Sequence, residues 1–312
     1  MPNVFSVKTL LELRAAFKSG LDFGAETEAH LGGALRQALD QPGNLVRGWL
    51  AYEVACAYGL SVARAKHMAV AIEYFHTASL IFDDLPFMDD ATERRGGRCV
   101  HQTYGEAAAV LAGLGLVNRA YSLLWRGFAE ASGDRRALAG DYVEGCLGVG
   151  GLLNGQSEDL HYGSLPQPRQ SPERVATGKT VSLIRLSLVL PALLGGASSG
   201  EVRALERLAT FWGLSYQILD DLKDVFSEPE QTGKTAGRDR SLNRPNLTLE
   251  IGPSRALRRL ERLIDLGDRV LARLAAQAPA LTFLEALSRR LRDELTGINV
   301  AILSTALSCS SN

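Results

Sequence analysis

Apolar residues recur at three- and four-residue spacing along nearly the whole chain, and the strict alternation of a half-buried strand is scarce. That periodicity restricts the chain to packed helices. The periodic segments are Glu28–Leu39, Val46–Tyr58, Ala65–Phe82, Glu106–Ala131, Val181–Leu194, Glu201–Phe226 and Arg255–Ala276. Gly and Pro punctuate them, at Pro42-Gly43, Gly96-Gly97, Gly133, Pro166–Pro172, Gly195-Gly196 and Gly252-Pro253. The Gly163–Pro172 stretch reads as a loop and not as a linker, because helical pattern of the same kind continues on both sides. There is no internal repeat. With 312 residues, 46% of them hydrophobic, a single all-α domain spanning residues 1–312 is expected.

Charge excludes some partners. The formal net charge is -1, without the basic excess that a nucleic-acid partner requires. The four cysteines, Cys56, Cys99, Cys146 and Cys309, show neither zinc-ligand spacing nor a disulfide pattern. Lys8, Glu12, Arg14 and Lys18 break any apolar leader core near the start. The longest apolar stretch, Val181–Ala197, is interrupted by Arg185 and Pro191 and reads as too short for a membrane span of about 20 residues. These features predict a cytoplasmic protein without a membrane span.

Two acidic clusters interrupt apolar helices. The first, Asp83-Asp84-Leu85-Pro86-Phe87-Met88-Asp89-Asp90, follows an apolar helix ending at Phe82. Pro86 disfavours helix at Leu85 and predicts a bend that returns Asp89 to the face bearing Asp83. The second cluster is Asp220-Asp221-Leu222-Lys223-Asp224. Asp220 and Asp224 stand at i and i+4 and share one face, with Asp221 about 100° away. Taken alone, the first cluster also admits a solvated helix terminus, and the second an ordinary helix carrying i,i+4 acid pairs. Acids flanked by Ile81, Phe82, Leu85, Phe87 and Met88, side chains expected to be buried, need a cation, because an unpaired buried carboxylate is costly. Hard divalent ions favour such oxygen ligands, Mg²⁺ typically with a few carboxylates plus substrate phosphates. No His or Cys lies within either cluster, which disfavours zinc. Together the clusters predict a site where Mg²⁺ holds a diphosphate and takes up the charge that develops as it departs. That expectation requires Asp83 and Asp89 to confront Asp220 across one cavity.

The strings HTASLIFDDLPFMDD and RRGG (His76 to Gly97) and YQILDDLKDV (Tyr216 to Val225) resemble the trans-isoprenyl diphosphate synthases, most nearly the bacterial geranylgeranyl diphosphate synthases. GQSEDL (Gly155–Leu160), GKTVSLI (Gly178–Ile184) and GKTAGRD (Gly233–Asp239) resemble further segments of that family in order, so the likeness spans roughly residues 40 to 250. The resemblance implies an isoprenoid synthase helical bundle and a Mg²⁺-dependent prenyl transfer from an allylic diphosphate to isopentenyl diphosphate. It implies Asp83, Asp89 and Asp220 as direct Mg²⁺ ligands, with Asp84, Asp90, Asp221 and Asp224 supporting or acting through water. Arg94, Lys179 and Lys234 match the cations that hold the allylic diphosphate. Arg47, His76 and Arg95 match contacts to the diphosphate of isopentenyl diphosphate. Thr180 and Gln217 match polar residues near the allylic cation, and Gln156 and Asp159 match groups behind them. A homodimer is implied by the same analogy.

Two positions depart from the family pattern. Its Gly-Gly-Lys-x-x-Arg segment reads here Pro42-Gly43-Asn44-Leu45-Val46-Arg47, so the Arg is kept and the Lys is Asn44. Losing one charge-assisted contact, worth roughly 1.5–3 kcal/mol, predicts about tenfold weaker use of isopentenyl diphosphate, unless another cation compensates or the acceptor is not the standard one. The second departure is Leu114, where the family usually has Asp. Product length in this family is set on the helix before the first motif. Ala78 is small and opens the first turn. Tyr74 and Phe75, the latter about 12 Å along the axis from Asp83, are expected to floor the pocket; ordinary core packing is the alternative. A C20 product is predicted first and C15 second. Three rivals stand beside this reading: a terpene cyclase, disfavoured by the second Asp-rich motif and the RRG; a non-catalytic subunit of a heteromeric synthase; and a prenyl transferase with a non-standard acceptor.

Overall fold

The computed structural model describes residues 6–166, 170–226 and 244–309. The helices are α1 (Val7–Ser19), α2 (Ala29–Asp40), α3 (Val46–Ala57), α4 (Val62–Asp83), α5 (Val100–Tyr104), α6 (Glu106–Phe128), α7 (Gly133–Leu147) and α8 (Leu152–Leu160). They continue with α9 (Pro172–Ala176), a π turn (Thr177–Val181), α10 (Ser182–Gly195), α11 (Ser199–Phe226), α12 (Leu247–Ile251), α13 (Pro253–Gln277) and α14 (Leu284–Cys309). A two-stranded hairpin, β1 (Glu93–Arg94) and β2 (Gly97–Arg98), is the sole sheet among the described residues. The fold is all-α, and each of the seven periodic segments is a helix, with ends displaced by three residues or fewer.

The chain divides into two compact units, Met1–Val143 with Leu186–Ala197, and Glu144–Arg185 with Ser198–Asn312. In the first unit α4 is central. It buries Ala65, Met68, Ala69, Ala71, Ile72, Tyr74, Phe75, Ala78 and Ile81, residues that go all the way round its axis, as in a helix enclosed by neighbours. Its packing on α6 places large residues against absent side chains. A Cβ on Gly113 would stand 2.6 Å from Phe82 Cζ, and one on Gly127 would stand 2.7 Å from Met68 Cγ. The two contacts run in opposite chain directions, so α4 and α6 are antiparallel, with the same two-heptad interval on each. Midway between them Phe75 meets Tyr121 edge to face, centroids 5.0 Å apart. Tyr74 turns elsewhere: its hydroxyl donates to the Phe17 carbonyl at 2.6 Å and its ring stacks edge-on against Phe17. Tyr74 and Phe75 are therefore not neighbours on one floor. Adjacent helical residues point about 100° apart, and Tyr74 fastens α1 to α4.

In the second unit α13 is strongly amphipathic. Ala256, Leu260, Leu263, Ile264, Gly267, Val270, Leu271 and Leu274 are buried along one stripe. Gly267 of that stripe faces the Trp212 indole of α11. A close backbone approach between elements lies elsewhere: a Cβ on Gly155 of α8 would stand 2.3 Å from the Lys179 amide nitrogen, and one on Gly178 2.8 Å from Gly155 Cα. Two glycines thus let α8 cross the π turn backbone to backbone, as only glycine permits. Gly213 of α11 makes room for Val181 in the same way.

Glu106–Phe128 and Pro172–Gly195 are long and apolar enough to cross a membrane. This corrects the expectation drawn from the Val181–Ala197 stretch: helical structure extends back to Pro172 and lengthens it. Of its apolar window 72% is buried within the protein, the condition of a core helix.

Candidate active site

In the first unit α4 ends in a knot of turns. The Asp84 amide still donates to Leu80, and Leu85, Met88 and Asp90 then close tight turns back to Phe82 and Leu85. The Asp89 amide donates to the Asp83 carbonyl at 2.9 Å. Pro86 blocks helix continuation at this point, and the chain folds back within six residues of Asp83. Asp83 and Asp89 are partly exposed, whereas Asp84 is 4% exposed; of the flanking side chains expected to be buried, Leu85 is, but Phe87 is 63% exposed.

Asp84 is engaged by a cation of the adjoining hairpin. Its Oδ1 accepts from Arg94 Nε and Nη2, both at 2.6 Å. Burial works against the Arg94 charge, but the Asp84 carboxylate more than offsets it and raises the Arg94 pKa. Arg94 leads into the hairpin turn. Arg95 and Gly96 both have positive φ, 54° and 76°, the geometry of the tight turn that suits a two-residue hairpin. The Arg95 guanidinium donates to the Gln41 carbonyl and lies against Gly43, whose added Cβ would be 2.6 Å from Nη2. Arg47, at the start of α3, donates to His76 Nε2 at 3.3 Å. One turn earlier on α4 is Glu73, a group the sequence reading missed. Its Oε1 accepts from the Gly48 amide at 2.6 Å. Burial pushes the Glu73 carboxyl up, and that amide with Arg47 and Arg95 opposes the shift only in part.

In the second unit Lys179 and Thr180 lie in the π turn, a local distortion found often at functional sites. Lys179 Nζ donates to Asp159 Oδ2 at 2.7 Å, with Arg244 Nε 4.0 Å from the same oxygen. Thr180 Oγ1 donates to Gln217 Oε1 at 2.8 Å, and Gln217 Nε2 donates to Asp221 Oδ1 at 2.9 Å. The other Asp221 oxygen accepts from the Leu247 amide at 2.8 Å. Asp221 is 2% exposed and anchors this relay. Asp220 is exposed and Asp224 partly so, on one face of α11. Lys223 points away, to Glu294 Oε2 at 2.9 Å. The Gln156 amide nitrogen is buried without a hydrogen-bond partner. Lys234 and the GKTAGRD segment lie outside the described residues.

Among the described residues no three carboxylates, imidazoles or thiols are gathered into a metal cage. The donor set suits Mg²⁺ nonetheless, since that ion commonly takes one or two carboxylates and completes its shell with water and substrate phosphate. Asp83 and Asp89, joined by one backbone bond, and Asp220 with Asp224 at i and i+4, are donor sets of that size.

An all-helical fold with acid clusters at the ends of α4 and α11 and cations beside the first defines an isoprenoid synthase. A polyprenyl synthetase family model matches residues 28–262. A chloroplastic geranylgeranyl pyrophosphate synthase of Capsicum annuum is 37% identical over 207 residues, 66% of this chain and 56% of that protein. The chain thus spans little more than half of that relative. The farnesyl diphosphate synthase of Escherichia coli K12 is 33% identical over 248 residues, 79% of this chain and 83% of that protein. Among solved structures, a Helicobacter pylori geranyltransferase complexed with magnesium and isoprenyl diphosphate superposes with TM-score 0.77 at 25% identity, covering 97% of this chain and 98% of that one. The chain belongs to the polyprenyl synthetase family and is a trans-prenyltransferase of the geranylgeranyl or farnesyl diphosphate synthase type.

Proposed function

We propose that this protein condenses an allylic diphosphate with isopentenyl diphosphate, with Mg²⁺ bound at Asp83, Asp89, Asp220 and Asp224, and that its main product is C20. The observation that carries this reading is the turn after α4. It brings the backbone of Asp89 to Asp83 and sets Arg94 and Arg95 on the adjoining hairpin, so acids for a metal and cations for a diphosphate occur on one short segment. Mg²⁺, when bound, neutralises the charge that builds on the departing diphosphate. Arg94 and Lys179 are held by Asp84 and Asp159 and would meet phosphate oxygens from fixed positions. Asp221 fixes the Gln217 amide so that its oxygen lies toward Thr180, and these two side chains offer oxygen dipoles to an allylic cation. The proton lost after carbon–carbon bond formation goes to the departing diphosphate. Arg47, His76 and Arg95 take the diphosphate of isopentenyl diphosphate.

A C20 product is supported by Ala78, which leaves the first turn of α4 before Asp83 without bulk. We place the protein in the cytoplasm, as a homodimer, with residues 1–312 acting as one domain; the family match from 28 to 262 includes residues of both compact units. The test is to incubate the purified chain with Mg²⁺, labelled isopentenyl diphosphate and each of the C5, C10 and C15 allylic diphosphates, then chromatograph the dephosphorylated products. C20 alcohol is expected. Asp83→Ala and Asp220→Ala should each lower kcat by at least about 100-fold. Turnover surviving in the double variant would end the proposal, and hydrocarbon products would indicate a cyclase.

A further inference from the structure

The loop between α2 and α3 is ringed by positive side chains from three directions. Arg95 lies against Gly43 and donates to the Gln41 carbonyl. Arg47 lies two residues beyond the loop and reaches His76. From α1, Arg14 Nη2 donates to the Gly43 carbonyl at 3.5 Å. Arg14 and Arg95 thus converge on the same glycine, whose neighbour Asn44 is exposed and neutral. Two carboxylates stand near this group, and neither cancels it. Asp40 is bonded to Lys18 at 2.9 Å, and Glu73 is sealed in the core with its carboxyl pushed up by burial. The helix that carries Arg14 is held to α4, which also carries His76, by the Tyr74–Phe17 bond of 2.6 Å.

We propose that Arg14 is a further substrate-binding residue, supplying to the diphosphate of the homoallylic co-substrate the charge-assisted contact that Asn44 cannot make. The inference rests on the reading of Arg47, His76 and Arg95 given above. The family match begins at residue 28, so Arg14 lies on a helix that the shared pattern does not reach. Its contact to Gly43 is long for a hydrogen bond, and the side chain is exposed. Turning it toward a phosphate therefore gives up little, and a guanidinium presents two donors to phosphate oxygens.

The test is steady-state kinetics on the full chain with isopentenyl diphosphate varied, together with calorimetric binding of isopentenyl diphosphate alone to the same variants. Arg14→Ala should raise KM and Kd for isopentenyl diphosphate roughly tenfold and leave kcat and the allylic KM unchanged. Arg14→Lys should retain most of the affinity. Adding Asn44→Lys to Arg14→Ala should restore it, which a merely structural Arg14 would not predict. The idea is overturned if Arg14→Ala leaves both constants within twofold, weakens the allylic substrate equally, or lowers only the melting temperature. A wild-type chain that binds isopentenyl diphosphate without condensing it would defeat the proposed activity, while the Kd comparison would still decide the role of Arg14.

Discussion

Glu73 shows what a single buried carboxyl does to this chain. It lies in the middle of α4, 3% exposed, with the Gly48 amide as hydrogen-bond donor. Its folded pKa is raised above the ordinary 4.5, so between those two values the folded chain holds a proton that the unfolded chain has released. Stability therefore declines as pH rises from the unfolded value through the folded one. Glu73→Gln keeps an oxygen for Gly48 and removes the titration. Its melting temperature should match the wild type near pH 4 and exceed it above the transition, as read by calorimetry across pH. A constant difference at every pH would contradict the assignment. The adjacent acids divide by environment as well. In each motif the first Asp is at least partly exposed, whereas the second is buried: Asp84 accepts from Arg94 on Oδ1, and Asp221 accepts from protein donors on both oxygens. The sequence offered both members of each pair as metal supports. Which one turns inward depends on where Arg94 and the Leu247 amide lie, and neither position can be read from spacing.

At the scale of elements, the seven periodic segments were legible as helices to within three residues, whereas α1 and α14 were not among them. Two further helices lack a readable pattern for physical reasons. In α7, Gly133, Gly140 and Gly145 alternate with charged residues, and α8 is short and polar; both patterns fall below what periodicity can detect. The π turn has no sequence signal of its own, since it follows from the crossing of Gly155 over Gly178. The product-length expectation must likewise be divided between helices. Phe75 packs on Tyr121 of α6, so a floor at this level joins two helices, whereas Tyr74 is bonded to α1. Phe75→Ala should shift product toward chains longer than C20, measured by chromatography of the alcohols. Tyr74→Ala should cost about 3–5 kcal/mol of stability, seen as a lowered denaturant midpoint, without lengthening the product. Longer products from Tyr74→Ala at full stability would return that residue to the floor.

At the scale of the whole molecule, the proposed homodimer can be tested on α6. Leu111, Leu114 and Trp125 are exposed by 53%, 52% and 66%, and their spacing places them within about 60° of one another around the helix. The opposite side of α6 carries Gly113 and Gly127 against α4, so the helix is apolar on two faces and the first unit covers only one. Exposed apolar side chains gathered on one face of a surface helix, here with the polar Asn118 among them, suit an interaction site, and a second copy of the same chain is the partner a twofold arrangement supplies without a further protein. Leu114 gains meaning here: the position where the family usually has a charged residue holds a member of this face. A single added carboxylate on such a face must either stay solvated or be buried unpaired, and burial without a partner is strongly unfavourable. The wild-type chain should therefore sediment as a dimer at micromolar concentration, and Leu111→Asp combined with Trp125→Ala should shift it to monomer. Both substitutions lie at exposed positions, so the helical circular dichroism should be unchanged. A wild type that sediments as a monomer, or a double variant that remains fully dimeric, would place the contact on another surface.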